Sequence, residues 1–237
     1  MKEKAFEKEL PNGYRIARCI DVKNASFGLI FSLITLLIFA LTIVLCAIPI
    51  IFRANEFFDK INKTSMLIIP LIYFVGYVLY IIAHELIHGF AYKKLTGEKL
   101  TFGLSWSCAF CGVPHIFTYR RTALIAVMAP LIFFTTIFIP ALIITFVMNP
   151  VFYIILSLLF ASHIGGCSGD IYVTYLFLTK YKDKSVLMND TGPRMAIFTY
   201  NEAWIDEQDK STVQFIGRLK IENKIKKSFC YNKIPSL

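Results

Sequence analysis

Two histidines enclose a glutamate in the run His84-Glu85-Leu86-Ile87-His88. On a helix this i, i+4 spacing puts both imidazoles on one face, about one turn apart. Two ring nitrogens so placed suit zinc. Glu85 between them is positioned to take a proton from a water that zinc activates, which is the hydrolytic arrangement of this pattern. Five residues of this kind also arise by chance, so the setting decides their weight. Here they follow an uncharged run, residues 64–83. Two histidines and a glutamate inside a membrane segment are costly unless they face a cavity, a partner or a metal. The blander reading is a helix end whose polar groups reach the interface.

A hydrolytic zinc site takes three protein ligands and keeps a fourth position open. The chain has four histidines, and Asp170 is the only acidic residue between Glu98 and Asp183. The candidates for a third ligand are therefore His115, His163 and Asp170. Asp170 stands about eight residues from the end of its apolar run, or ~12 Å of helix, and His84 and His88 stand ~6 to 12 Å from theirs. His163 precedes Asp170 by seven residues, which on a continuous helix means the same face but ~10 Å deeper. The stretch Gly165-Gly166-Cys167-Ser168-Gly169 can break that helix, and its three glycines should let the second span approach Asp170 closely. Asp170 ranks first as ligand and His163 second, with a hydrogen-bonding role in the cavity equally open to His163. His163, His115 and Tyr119 are candidates for substrate or oxyanion contacts. Cys108 and Cys111, with His115 nearby, offer a second cluster. A lone C-x-x-C lacks its other half, so two buried thiols are the expected reading.

The elements that must position these residues follow from composition. The chain of 237 residues is 56% hydrophobic and 17% charged, with a mean hydropathy of +0.59. That excludes an ordinary soluble domain. Four spans are expected near residues 26–52, 66–92, 122–148 and 151–178, each long enough for a hydrocarbon core of ~30 Å. The first follows a charged segment without a cleavage site and reads as a retained helix, not a signal peptide. Six scattered cysteines do not make a disulfide framework. If the spans alternate, 22 of the 25 Lys and Arg lie on one side and Arg53, Lys60 and Lys63 on the other. This places both termini in the cytoplasm of a cell-membrane protein. Basic flanks facing anionic lipid account for the net charge of +9, so no nucleic-acid partner is implied.

The expected fold is all-α: a four-span transmembrane helical bundle with a re-entrant or interfacial loop over 101–117 and a small cytosolic tail. Its divisions are a cytosolic N-terminal segment (1–25), a membrane peptidase domain (26–178) and a cytosolic tail (179–237). The tail has alternating segments such as 213–221.

Three features carry a family resemblance: Ala83-His84-Glu85-Leu86-Ile87-His88-Gly89, Arg120-Arg121 leading into Ala129-Pro130, and Gly165 to Asp170 followed by Ile171-Tyr172. Over about residues 77–178 the chain resembles a family of small multi-pass membrane metallopeptidases of the zincin type, distantly similar to the site-2 proteases. The resemblance implies peptide-bond hydrolysis at zinc, with His84 and His88 as ligands, Glu85 as general base and Asp170 as third ligand. Site-2 proteases commonly carry an Asn-Pro-Asp-Gly type sequence at that ligand, where this chain reads Cys167-Ser168-Gly169-Asp170-Ile171. The expected partners are the lipid bilayer and a membrane or membrane-proximal protein substrate. The rival readings are a divalent-metal transporter and a catalytically silent, metal-stabilised membrane binding protein.

Overall fold

The structure is a computed structural model that describes residues 4–21, 25–104 and 109–205. Cys108 and the segment 213–221 lie outside the described residues. The chain is mostly helical and divides into two compact units.

The helical unit takes in residues 24–91 and 126–175. It contains α1 (Ala25–Ile51), α2 (Ala54–Lys60), most of α3 (Lys63–Thr96) and α4 (Arg120–Met148), then α5 (Pro150–Gly166) and the start of α6 (Ser168–Thr179). Uncharged apolar runs form helices here because a helix closes its own backbone hydrogen bonds, as hydrocarbon requires. Segment 28–51 of α1, together with α3 and α4, is long and apolar enough to cross a membrane; α5 and α6 make a fourth crossing if the bent pair is one span. Large apolar side chains cover their outsides, with Leu33 58% and Leu67 77% exposed. Such a surface is compatible with lipid rather than water.

Asn149 caps α5, its side chain accepting from the N–H groups of Val151 and Phe152, and Pro150 opens the first turn, where a missing N–H costs nothing. The helix bends by 40° between α5 and α6, at Cys167. Close to this break Gly165 lies against α1, where a Cβ would come within 2.9 Å of the Thr35 carbonyl oxygen. Thr35 Oγ1 meets Ser168 Oγ at 2.8 Å. The glycine-rich stretch thus admits the first span, not the second as expected from sequence. Gly166 and Gly169 have nothing within 4 Å of an added Cβ.

The second unit corrects the all-α expectation. Strands β1 (Phe6–Glu7), β2 (Arg15–Asp21), β5 (Phe117–Tyr119), β6 (Leu187–Asp190) and β7 (Arg194–Thr199) form an antiparallel sheet in the order β1-β5-β6-β7-β2. Residues expected to be an N-terminal segment and a tail therefore pair with each other, Cys19 opposite Ala196 and Asp21 opposite Arg194. Leu187, Ala196 and Phe198 form its core, with Leu10, Tyr14, Ile16, Phe117 and Tyr119 packed around them.

Within 101–117, expected to be a re-entrant or interfacial loop, the described residues form the antiparallel hairpin strands β3 (Thr101–Leu104) and β4 (Ala109–Gly112), and the chain then enters β5. The Phe110 ring fills the space that side chains at Gly103 and Gly192 would need, and Gly192 turns with φ +89°. At Gly112 a Cβ would meet the backbone of Asp190 and Gly192 at 2.6 to 2.8 Å, so only glycine fits there.

Candidate metal centre

His84 and His88 occupy successive turns of α3, with Glu85 directly after His84, and Asp170 stands in the first turn of α6. The side chains of His84, His88 and Asp170 converge inside the helical unit. Asp170 Oδ2 lies 3.4 Å from His84 Nε2 and 3.6 Å from His88 Nε2, and the three donor atoms all fall within 4.8 Å of one another. Two neutral imidazole nitrogens and a carboxylate oxygen that turn lone pairs toward one another at this distance are satisfied by a cation, or by protons, between them. In a tetrahedral zinc site with bonds of 2.0 to 2.2 Å, neighbouring ligand atoms stand about 3.3 to 3.6 Å apart. The observed separations fit that edge, and three ligands leave the open position that hydrolytic zinc sites keep. Each of the three residues keeps 8 to 9% of its surface exposed, whereas His163 keeps none.

What lies behind the ligands sets which nitrogen is free. His88 Nδ1 lies 2.8 Å from the carbonyl oxygen of Ala126 on α4. A carbonyl only accepts, so Nδ1 carries a proton, and in the neutral ring Nε2 presents its lone pair toward Asp170. In an unbroken helix the Ala126 carbonyl would accept from the N–H of residue 130. That residue is Pro130, which has none. The proline thus leaves a buried acceptor for His88, and the Ala129-Pro130 element acquires a physical role.

Behind His84 the Tyr80 hydroxyl lies 2.9 Å from Nδ1 and 3.0 Å from His163 Nδ1. His163 Nε2 lies 3.0 Å from Thr135 Oγ1. Both nitrogens of His163 are therefore engaged by hydroxyls. His84, His163 and Cys167 form a second group whose donor atoms are close enough for an ion. It lacks a carboxylate, and its two Nδ1 atoms already share Tyr80, so the set with Asp170 is the better cation site.

The remaining candidates fall in the sheet unit. Tyr119, on β5, donates to Glu7 Oε1 at 2.7 Å, and burial together with the Glu7 carboxylate pushes its hydroxyl up to about 12. His115 is exposed, in the turn before β5. The carbonyls of its neighbours Pro114 and Ile116 both accept from Asn189 Nδ2. Cys111 is buried, as expected for a packed thiol.

Sequence reasoning passed over Tyr80 and Thr135, and it noted Pro130 only within the family resemblance, with no role at the site. Tyr80 did carry a signal, because a residue four before His84 shares its face. Thr135 and Pro130 lie on another helix, and no local spacing connects them to α3.

Residues 77–186 match the family model described as "Putative zincin peptidase". No curated protein and no solved structure matches the chain. The family suggests metallopeptidase activity and implies zinc. The chemistry of the donor set agrees with that ion. Over residues 77–186, which carry His84, Glu85, His88, Pro130, His163 and Asp170, the chain is similar to the family that this description names.

Proposed function

We propose that the protein is a zinc-dependent, membrane-embedded metallopeptidase that hydrolyses a peptide bond of a membrane or membrane-proximal protein at or near the cytoplasmic face. The observation that carries this reading is the convergence of His84 Nε2, His88 Nε2 and Asp170 Oδ2 with the separations of a zinc coordination edge. His84, His88 and Asp170 would hold the ion. Zinc, when bound there, supplies Lewis-acid activation of water and of a peptide carbonyl.

The chain's own residues do the rest. Glu85, half-buried between the two histidines in sequence, accepts the proton of the attacking water and passes it to the departing amine. His84 and His88 donate through Nε2 and carry their protons at Nδ1, which keeps both rings neutral. Asp170 offsets positive charge in the apolar bundle. The slight exposure of the three ligands gives water and a peptide carbonyl a way in, whereas His163 lies wholly inside.

The lipid bilayer is the surrounding partner, and the charge asymmetry of the loops favours a cell-membrane protein with both termini cytoplasmic. Reporter fusions after Lys60 and after Lys99 should report opposite sides, and the same side for both would contradict this topology.

Glu85→Gln tests the enzymatic reading. It should keep zinc and lower proteolysis by about 10²- to 10⁴-fold, the usual contribution of a positioned base. Unchanged proteolysis would remove Glu85 from the mechanism. Metal-dependent function that persists without any peptide cleavage in the native protein would favour transport or binding.

A further inference from the structure

The metal site leaves a buried chain of polar groups behind it: Tyr80, His163 and Thr135. Tyr80 is 8% exposed and His163 0%, and the rings of Phe134, Phe138 and Phe160 stand 5.8, 5.6 and 6.3 Å from that of His163. Those rings offer no hydrogen-bonding partner, and among the described residues the one other polar side chain against His163 is the weak Cys167 thiol, its Sγ 3.6 Å from Nδ1, so the chain largely satisfies itself.

A hydroxyl has one proton and can donate to only one of the two Nδ1 atoms beside Tyr80. The other ring then donates to the tyrosine oxygen, a stronger pairing than the Cys167 thiol offers to His163 Nδ1. Two directions are possible, and each is fully paired. In one, His84 Nδ1–H donates to Tyr80, Tyr80 O–H donates to His163 Nδ1, and His163 Nε2–H donates to Thr135 Oγ1. In the other every bond reverses, and the proton of His84 moves to Nε2, which faces Asp170. Only the first direction leaves His84 Nε2 free to bind a cation.

We infer that Tyr80 and His163 are positioning residues that hold His84 in its Nδ1–H tautomer and so raise the affinity of the centre for zinc. This rests on the reading of His84, His88 and Asp170 as the metal site. It also gives the two ligand histidines equivalent support by different means. His88 has a backbone carbonyl freed by Pro130, and His84 has a hydroxyl whose own proton is drawn away by His163. His163 then neither binds the ion nor touches substrate.

The test is zinc affinity of the purified full-length protein, measured by competition with a chromophoric chelator. Tyr80→Phe should weaken binding about 10- to 100-fold, the usual cost of losing a residue that orients a ligand. His163→Leu removes the acceptor that draws the Tyr80 proton and should weaken it in the same direction. His163→Asn can offer an amide oxygen near the place of Nδ1 and should recover much of the loss, which a purely packing role would not produce. The chain has four histidines, so ring-labelled nitrogen NMR resolves tautomers directly. In the zinc-loaded native protein His163 should carry its proton on Nε2, and this measurement decides the matter if the Tyr80 variant fails to fold. Native zinc affinity in both Tyr80→Phe and His163→Leu, or a proton on Nδ1 of His163 in the zinc-loaded protein, would overturn the inference while leaving the metal centre standing. A native protein that binds no zinc would overturn the centre and this inference together.

Discussion

In the sheet unit, the buried side chains of Tyr92, Asn189 and Thr118 are closed off by partners of opposite type. Tyr92 donates to Asp190 Oδ2 at 2.8 Å, Asn189 donates to two carbonyls, and the Thr118 hydroxyl donates to the Met188 carbonyl. In each of these, donor meets acceptor. In the helical unit His84, His88 and Asp170 do the reverse, turning electron-pair donors toward a common point while their far sides are tied to Tyr80 and Ala126. The same residue types build structure in one unit and an ion site in the other. What separates the two cases is whether the near atoms complement or repeat one another.

Substitutions in the two units should therefore have different readouts. The largest effect on stability is expected at Gly112→Ala, where the new methyl meets backbone rather than a yielding side chain. A loss of about 3 kcal/mol or more follows, with zinc per folded molecule unchanged, as thermal melts beside metal analysis would show. A loss under about 1 kcal/mol would mean that the hairpin and the β6–β7 turn shift apart easily. Tyr92→Phe comes next. It strips Asp190 of a buried donor at a cost of about 1 to 3 kcal/mol, again without effect on zinc, and weakened zinc binding would break the distinction between the units. The smallest effect on stability, with the clearest effect on metal, is expected for Pro130→Ala in the helical unit. Residue 130 regains an N–H that competes with His88 for the Ala126 carbonyl. Stability should hold or rise slightly while zinc affinity falls about tenfold. Unchanged affinity would mean that the freed carbonyl does not orient His88.

The helical unit was legible because its signals are local. Hydropathy over 26–52, 66–92 and 122–148 anticipates α1, α3 and α4 to within a few residues. The i, i+4 spacing anticipates the shared face of His84 and His88, and counting residues from the span ends brings Asp170 to a matching depth. The break at Cys167 follows from the glycines around it, yet their partner does not, since nothing local tells Gly165 to face Thr35. The sheet was not legible. Its strands are two to seven residues long, and β2 pairs with β7 more than 170 positions later. A short alternation such as Arg15 to Asp21 does not reveal a partner so distant, and charge in both segments reads as solvated chain. Tyr80 stood on the right face of α3 but looked like one more aromatic in an apolar helix. Its role depends on His163, another helix and 83 positions away.

Zinc stoichiometry of the purified native protein beside Asp170→Ala and His163→Ala tests the central claim most directly. The account predicts about one zinc per native chain, none retained stoichiometrically in Asp170→Ala, and a full but more weakly held complement in His163→Ala. Zinc lost in His163→Ala and kept in Asp170→Ala would contradict it, and would move the ion to the site formed by His84, His163 and Cys167.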